Sequence, residues 1–185
     1  MKIVESDPRW ADEFVQIEAQ LRHAVGEDAS RIDHIGSTSV PGLAAKDIID
    51  IQITVGDEPT FERVGAALDG HDWRRVARVV RDHRVPGISA ERSRWTKALF
   101  DEPEGWRSIH VHVRIEGRPN QRYALLFRDY LRTHPDAAAA YSEVKRGLAA
   151  LAPDSGSYAD AKDPACDLIY LAAEIWAKEE GWTPR

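Results

Sequence analysis

The sequence predicts an α+β fold in which helices pack against a mixed β-sheet and a helical part follows toward the C-terminal end. Two segments, 48–55 and 108–115, alternate apolar and polar residues, which is typical of half-buried strands. The last third of the chain repeats apolar residues at helical spacing. We therefore expect a core over residues 1–117 and a helical part over residues 118–185, packed together as one domain.

The N-terminal segment has the features of an amphipathic helix. Asp7 can cap its first turn, Pro8 suits the first helical position, and apolar residues recur at helical spacing until Gly26. A short strand over 31–36 and a turn-rich loop over 37–42 are predicted next.

The segment 48–55 is the clearest strand of the sequence. Successive side chains of a strand point to opposite faces of the sheet. One face then carries Ile49, Ile51, Ile53 and Val55, and the other carries Asp50, Gln52 and Thr54. A helix over 59–68 is expected to follow and to end at Gly70.

The second half of the chain continues with strands and then helices. The run 74–81 fits a strand or a loop, and 95–100 fits a strand. In 108–115 the residues His110, His112 and Arg114 share one face. Three helices complete the prediction, over 120–133, 136–151 and 162–179.

Composition excludes several classes of function. The formal net charge of −6 opposes contact with a polyphosphate backbone, so we expect no nucleic-acid partner. The absence of a long apolar run and of a signal-peptide pattern predicts a cytoplasmic protein without a membrane partner. Cys166 is the only cysteine, which excludes an internal disulfide and a cysteine-based zinc site.

The strongest chemical signal is Gly36-Ser37 followed by Asp50 on the next strand. A glycine-serine turn lets backbone N–H groups and a hydroxyl approach phosphate oxygens, and a nearby carboxylate can hold the Mg²⁺ that bridges them. The alternative is a capped turn followed by a strand with one solvent-facing aspartate. The spacing favours the functional interpretation.

His110 and His112 form a second signal. Two histidines at positions i and i+2 of a strand project from the same face, close enough to share a metal or to flank a phosphate. The alternative is a pair of surface histidines on a half-exposed strand. A position beside Asp50 on an adjacent strand favours a functional role, and the sequence gives both histidines an equal claim.

The segment from His34 to Lys46 and the residues 49–51 resemble the GrpB family, which is assigned to the nucleotidyltransferase superfamily. The likeness extends to 109–113 and 127–132, and to Tyr141 with Lys145 and Tyr158 with Lys162. The resemblance implies a nucleotidyltransferase fold that binds a nucleotide. Some members of the family are fused to dephospho-CoA kinase, which points to nucleotide or coenzyme metabolism.

The sequence departs from the pattern of active nucleotidyltransferases, which carry two carboxylates at positions i and i+2 and a third on a neighbouring strand. Asp50 is present, but Gln52 stands at the second position and His110 or His112 at the third. Imidazole suits Mn²⁺ or Zn²⁺ better than Mg²⁺. We therefore expect a divalent metal, Mg²⁺ or Mn²⁺ with Zn²⁺ as the alternative, held by Asp50, Gln52, His110 and His112.

The remaining candidates would contact phosphate or the nucleoside. Guanidinium groups bind phosphate oxygens in pairs, lysines act as point charges, and an aromatic ring can stack on a base. The alternative for each is an ordinary solvated or packing residue. The candidates are Gly36, Ser37, Thr38, Ser39, Lys46, Lys97, Arg128, Arg132, Tyr158 and Lys162.

These observations lead to three hypotheses. The first is a metal-dependent nucleotidyltransferase that uses Asp50, Ser37, His110 and His112 to transfer a nucleotidyl group to a small-molecule acceptor. The second is a non-catalytic protein that binds a nucleotide or a CoA-type molecule through the same turn. The third is a metal enzyme of another reaction class, built on Asp50 and the two histidines.

Overall fold

The computed structural model describes residues 2–88 and 90–184 and has the α+β architecture that the sequence predicts. Its strands, in chain order, are β1 (Arg31–Ile35), β2 (Ile49–Val55), β3 (Arg74–Arg75), β4 (Ala98–Asp101) and β5 (Ile109–Ile115). Its helices are α1 (Arg9–Val25), α2 (Glu58–Asp69), α3 (Pro119–Thr133), α4 (Pro135–Leu151) and α5 (Ser155–Glu180).

The strands form one mixed sheet in the order β1-β2-β5-β4-β3. The central pair, β2 and β5, is parallel, and the other pairs are antiparallel. A parallel pair needs a crossover connection, which here contains α2, β3 and β4. The polar residues of β2 and the histidines of β5 therefore come from distant parts of the chain to the centre of one sheet.

The two faces of the sheet differ in chemistry. One face carries the apolar residues of β2 and β5 and packs against α1 and α2, with Ile51, Ile53 and Val113 fully buried. The other face carries the polar alternates and lies under α3. Burying the apolar set on one side leaves the polar set as a partly buried surface between the sheet and the C-terminal helices.

A second apolar cluster joins the C-terminal helices to the loops around the sheet. It includes Leu126 from α3, Tyr141 from α4 and Tyr170 from α5, together with Leu43 and Trp95 from the loops. The helices α3, α4 and α5 thus cover the polar face of the sheet. Among the described residues, no helix is both long enough and apolar enough to cross a bilayer.

Two elements begin more than one residue away from the predicted position. The last helix was expected to begin near Lys162, but α5 begins at Ser155, because the Asp154 side chain accepts hydrogen bonds from the backbone N–H groups of Gly156 and Ser157. Its first turns are polar, so apolar periodicity does not reveal them. The helix continues through Pro164.

The strand expected over 95–100 was also placed too early. A short 3-10 turn over Arg92–Trp95 precedes β4, so the strand itself begins at Ala98. In the ambiguous run 74–81, only Arg74–Arg75 forms a strand, with both side chains exposed, and Arg81 makes one isolated bridge with Thr96.

Candidate functional site

The parallel pairing of β2 and β5 brings one carboxylate and two imidazoles together on the polar face. Asp50 is the register partner of His110, and Gln52 is the partner of His112. The Asp50 Oδ1 atom lies 3.3 Å from His110 Nδ1 and 3.7 Å from His112 Nε2. One nitrogen or oxygen from each side chain lies within 4.8 Å of the others. The three side chains can therefore reach a common ligand.

Gly36 is what allows Asp50 to occupy this position. Its backbone has φ 67° and ψ −170°, a conformation that is essentially restricted to glycine. A Cβ atom on Gly36 would lie 2.5 Å from the Asp50 Oδ2 atom and 2.9 Å from the Asp50 Cβ atom. The turn and the aspartate are therefore packed against each other with no room for a methyl group.

The two histidines differ in what their second ring nitrogen faces. The Nε2 atom of His110 lies 3.8 Å from the Asp101 carboxylate, a group that accepts a proton. The Nδ1 atom of His112 lies 3.3 Å from Lys97 Nζ and 3.3 Å from an Arg114 nitrogen, both of which are donors. A neutral His112 ring that accepts these hydrogen bonds carries its own proton on Nε2, the atom nearest Asp50.

The local electrostatics keep Asp50 ionised. Burial acts to raise the pKa of Asp50, but hydrogen bonds from His110 and His112 outweigh it and hold the pKa well below its usual range. Burial acts to lower the pKa of His110, and the Asp50 carboxylate more than compensates, so this pKa is raised. Burial, Lys97 and Arg114 together lower the pKa of His112 to about 3, so His112 is neutral at pH 7.

Asp82 holds the cationic side of the site in place. Its carboxylate accepts hydrogen bonds from Lys97 at 2.7 Å, from Arg114 at 2.9 Å and from Asn120 at 3.0 Å. Its pKa lies well below the usual range because Arg114 and Lys97 outweigh the effect of burial. Sequence reasoning missed Asp82, since it lies in a loop without periodicity.

A cavity beside Asp50 is lined by four lysines, and we call it the lysine cavity. Its volume is about 330 Å³, and its walls include Ser37, Asp50 and His112. The lysines come from the loop before β2, the loop before β4, α4 and α5, and they are Lys46, Lys97, Lys145 and Lys162. An acidic chain thus contains a local concentration of positive charge next to the glycine-serine turn.

Lys145 is the lysine that contacts the turn directly. Its Nζ atom donates to the Ser37 Oγ atom at 3.0 Å and to the Ala44 carbonyl oxygen, and the residue is 2% exposed. Burial, with a further contribution from Lys162, lowers the pKa of Lys145 to about 7. In the sequence, Lys145 stands out only as part of the resemblance to the GrpB family, together with Tyr141. Nothing in the helical pattern of α4 indicates that its side chain reaches the turn.

A second cavity meets the lysine cavity at Ser37, Asp50, His112 and Lys162. Its volume is about 240 Å³, and we call it the aromatic cavity because four of its walls are Trp95, Tyr123, Phe127 and Tyr141. Sequence reasoning did not anticipate this cavity, since its residues come from three strands, three helices and the loops between them.

Three of the predicted phosphate contacts are engaged elsewhere. Arg128 is buried and contacts Asp129, the His34 carbonyl oxygen and Asp33. Arg132 donates to the Ser39 carbonyl oxygen at 2.8 Å. The Ser39 hydroxyl donates to the Gly36 carbonyl oxygen at 2.6 Å. These side chains brace the turn and are absent from the walls of both cavities.

Three further predicted residues lie at or near the site. Gln52 is fully buried, and its amide oxygen accepts a hydrogen bond from Arg114 at 2.8 Å, which places a positive charge beside that oxygen. The Thr38 hydroxyl donates to the Ile48 carbonyl oxygen at 3.1 Å while lining the lysine cavity. Tyr158 also lines that cavity, and Lys46 Nζ lies 4.4 Å from the centre of its ring.

Comparison with known proteins places the chain in a family. The family model described as GrpB protein matches residues 1–171. The chain belongs to the GrpB family. It is 37% identical to a protein of Mycobacterium leprae named dephospho-CoA kinase, over 97% of this chain and 48% of that protein. The chain spans about half the length of the mycobacterial relatives it matches.

Solved structures agree on the fold. The crystal structure of GrpB from Enterococcus faecalis superposes with a TM-score of 0.72 at 29% identity, covering 95% of this chain and 99% of that one. The Cid1 poly(U) polymerase with MgGTP bound superposes with a TM-score of 0.52 at 16% identity, covering 77% of this chain and 43% of that one. The fold of this GrpB family member is therefore nucleotidyltransferase-like.

Replacing Gly36 should displace Asp50. We expect Gly36→Ala to lower the free energy of unfolding by about 1 to 3 kcal/mol, because alanine is strained in this backbone conformation, and also to weaken binding of any ligand held by Asp50. Urea unfolding and Mn²⁺ titration would measure the two effects.

Gly42→Ala is the matched control. Gly42 also has a positive φ, of 79°, but a Cβ atom there would meet nothing within 4 Å. It should lose stability through the backbone alone and keep wild-type Mn²⁺ affinity. Equal Mn²⁺ affinities in the two variants would contradict the packing role of Gly36.

Proposed function

We propose that this GrpB family member binds a nucleotide, or a related phosphorylated small molecule, together with a divalent metal, and transfers a nucleotidyl group to a small acceptor. The observation that carries the proposal is the meeting of Asp50, His110 and His112 beside the Gly36-Ser37 turn and the lysine cavity. The nucleotidyltransferase-like fold supports it, since MgGTP and Mg 3'-dATP are bound in structures that share this fold.

The donor set fits a divalent metal. Ligands bound to one ion at about 2.1 Å lie roughly 3 to 3.5 Å apart, and the contacts of 3.3 Å and 3.7 Å around Asp50 Oδ1 are close to that range. One carboxylate with two imidazoles favours Mn²⁺ or Zn²⁺ over Mg²⁺. Gln52 is not included, because the Arg114 guanidinium that donates to its amide oxygen would repel a second cation there. A bound ion would neutralise negative charge that develops on the transferred phosphoryl group.

The remaining roles follow from charge and position. Ser37 and the backbone of Gly36 would contact phosphate oxygens at the turn, and Lys145, which already donates to Ser37 Oγ, would add positive charge there. Lys46 and Lys162 would contact the outer phosphates in the lysine cavity. An acceptor hydroxyl or amine would then displace pyrophosphate in line from the α-phosphorus, releasing its proton to water.

A second candidate function is nucleotide binding without catalysis. One specific observation favours it, because Asp50 is the sole carboxylate of the metal cluster found among residues 2–88 and 90–184. A binding protein of this kind would take up the nucleotide and release no pyrophosphate. A pyrophosphate-release assay over a panel of small alcohols and amines separates the two candidates.

The metal-dependent part of nucleotide binding should depend on Asp50. We expect Asp50→Asn to weaken nucleoside triphosphate binding in the presence of Mn²⁺ by about tenfold or more, because a charged ligand contact is lost. Isothermal titration calorimetry with and without Mn²⁺ measures this effect. The control Glu62→Gln makes the same chemical change on the exposed side of α2 and should bind as the wild type does. An unchanged affinity in Asp50→Asn would remove the site assignment.

The two histidines should not contribute equally to metal binding. His110 can keep a proton on Nε2, which faces Asp101, while its Nδ1 atom binds the ion. His112 faces Lys97 and Arg114 with its other nitrogen, so a proton there is opposed by two cations. We therefore expect His110→Ala to weaken Mn²⁺ affinity at least about tenfold more than His112→Ala does. The reverse order in a Mn²⁺ titration would show that the groups facing the second ring nitrogens do not decide which histidine binds the ion.

Anion binding should depend on the protonation of Lys145. Only the charged amine attracts an anion, and its pKa of about 7 means that the charge is lost as the pH rises through neutrality. We expect sulfate, whose charge is constant in this range, to bind several-fold more weakly at about pH 8 than at about pH 6. Lys145→Met should bind weakly at both pH values. Parallel pH profiles for the two proteins, measured by calorimetry, would exclude Lys145 as the titrating group.

A further inference from the structure

The aromatic cavity is large enough for a small organic molecule and adjoins Asp50 and His112. Its volume is about 240 Å³, and four of its walls are aromatic rings. Trp95 is 1% exposed, and the ring of Tyr123 is held by stacking on Tyr170, with ring centres 4.4 Å apart. The walls are thus fixed by packing outside the cavity, as a preformed binding site requires.

Two of these walls carry a buried hydrogen-bond donor that is not used. Among the described residues, the Trp95 Nε1 and Tyr123 hydroxyl groups are buried and have no hydrogen-bond partner. Buried donors are nearly always paired in folded proteins, and an unpaired donor costs free energy. Two such donors on residues that line one cavity favour a ligand that brings hydrogen-bond acceptors.

The charges around the cavity argue against a second phosphate-bearing ligand. The guanidinium of Arg114 is paired with Asp82, whose carboxylate also lines the cavity. Asp163 is a further carboxylate of the wall. His83 also lines the cavity, and its two ring nitrogens lie 3.5 Å from the Asp163 carboxylate and 2.7 Å from the Asp167 carboxylate. Lys162 lies at the junction with the lysine cavity. An uncharged ligand therefore suits the aromatic cavity, whereas an anion suits its neighbour.

We propose that the aromatic cavity binds the acceptor substrate. This substrate is a small, flat, uncharged molecule with at least two hydrogen-bond acceptors, such as a carbonyl oxygen and a ring nitrogen. It also carries a hydroxyl or amine that is directed at Asp50 and His112. The role as acceptor rests on the nucleotidyl transfer proposed above. The preference for this class of molecule rests on the cavity itself.

The positions of the two cavities agree with the geometry of the reaction. In-line transfer places the attacking and leaving groups on opposite sides of phosphorus. The two cavities meet at Ser37, Asp50, His112 and Lys162, so a phosphorus atom at this junction would have the lysine cavity on one side and the aromatic cavity on the other. The acceptor oxygen or nitrogen bonds to phosphorus, the bond to the bridging oxygen breaks, pyrophosphate leaves, and the acceptor's proton passes to water.

Nicotinamide is a suitable probe, because it is flat and uncharged and offers a carbonyl oxygen and a ring nitrogen. Its affinity would be measured by NMR titration of the wild-type chain and of Trp95→Phe and Tyr123→Phe, which remove one donor each and keep a ring. We expect each variant to bind about fivefold more weakly, the effect of one hydrogen bond. Nicotinate, which is anionic, and benzamide, which lacks the ring nitrogen, should both bind more weakly than nicotinamide to the wild type.

Tyr130→Phe is the matched control, since Tyr130 stacks on His134 and is not part of the cavity wall. It should bind nicotinamide as the wild type does. Thermal unfolding checks that the variants fold, and Tyr123→Phe should lose no stability because the hydroxyl it removes has no partner among the described residues.

The outcomes separate this proposal from the function on which it rests. Weaker binding of nicotinamide by both donor variants supports it. No saturable binding to the wild type, or equal affinities in the wild type and both variants, overturns it even if nucleotide binding depends on Asp50. If nicotinamide binds as expected but no nucleotide binds, the role as acceptor site is overturned together with the proposed transfer reaction.

Discussion

The parallel pairing of β2 and β5 is the constraint on which the site depends. Because side chains alternate along a strand, a slip of one residue would move His110 and His112 to the face that packs on α1 and α2. The register is held by the buried apolar residues on that face, among them Ile51 opposite Val111 and Ile53 opposite Val113. The geometry of the polar cluster is therefore stabilised mainly by the hydrophobic effect on the opposite side of the sheet.

Asp82 compensates the buried positive charges on one side of the site. Lys97 and Arg114 are largely buried beside the neutral ring of His112, and without a carboxylate they would be two uncompensated charges. A buried ion pair is retained at a desolvation cost, and breaking it by removing one partner is strongly destabilising. The loop that carries Asp82 is thus tied to the sheet by charge, and it supplies part of the wall of the aromatic cavity.

Much of the fold could be predicted because it follows from local periodicity. Alternation in β2 and β5 placed Asp50 and the two histidines on one face, and the structure brings them together. Periodicity could not reveal Asp82, whose role arises from long-range contacts of a loop, or the start of α5, which depends on a polar cap. Residue type made Arg128 a candidate for phosphate binding, and the structure shows its side chain buried against Asp33 and Asp129. Residue type and helical face do not determine which partner a long side chain reaches.

Active nucleotidyltransferases carry three carboxylates where this chain carries Asp50, Gln52 and a histidine. This difference changes the charge of the site as well as the set of possible metal ligands. A cluster of three carboxylates carries three negative charges. Asp50 with the amide of Gln52, neutral His112 and His110, whose pKa is raised, carries one at most. The four lysines of the lysine cavity outnumber the single carboxylate of the group formed by Asp50, His110 and His112, even though the chain as a whole is acidic. Under the proposed function, such a site would attract a phosphorylated ligand more strongly than a hard cation. Under the proposed function the ligand and the metal would bind together, and the phosphates would supply the oxygen donors that the protein lacks.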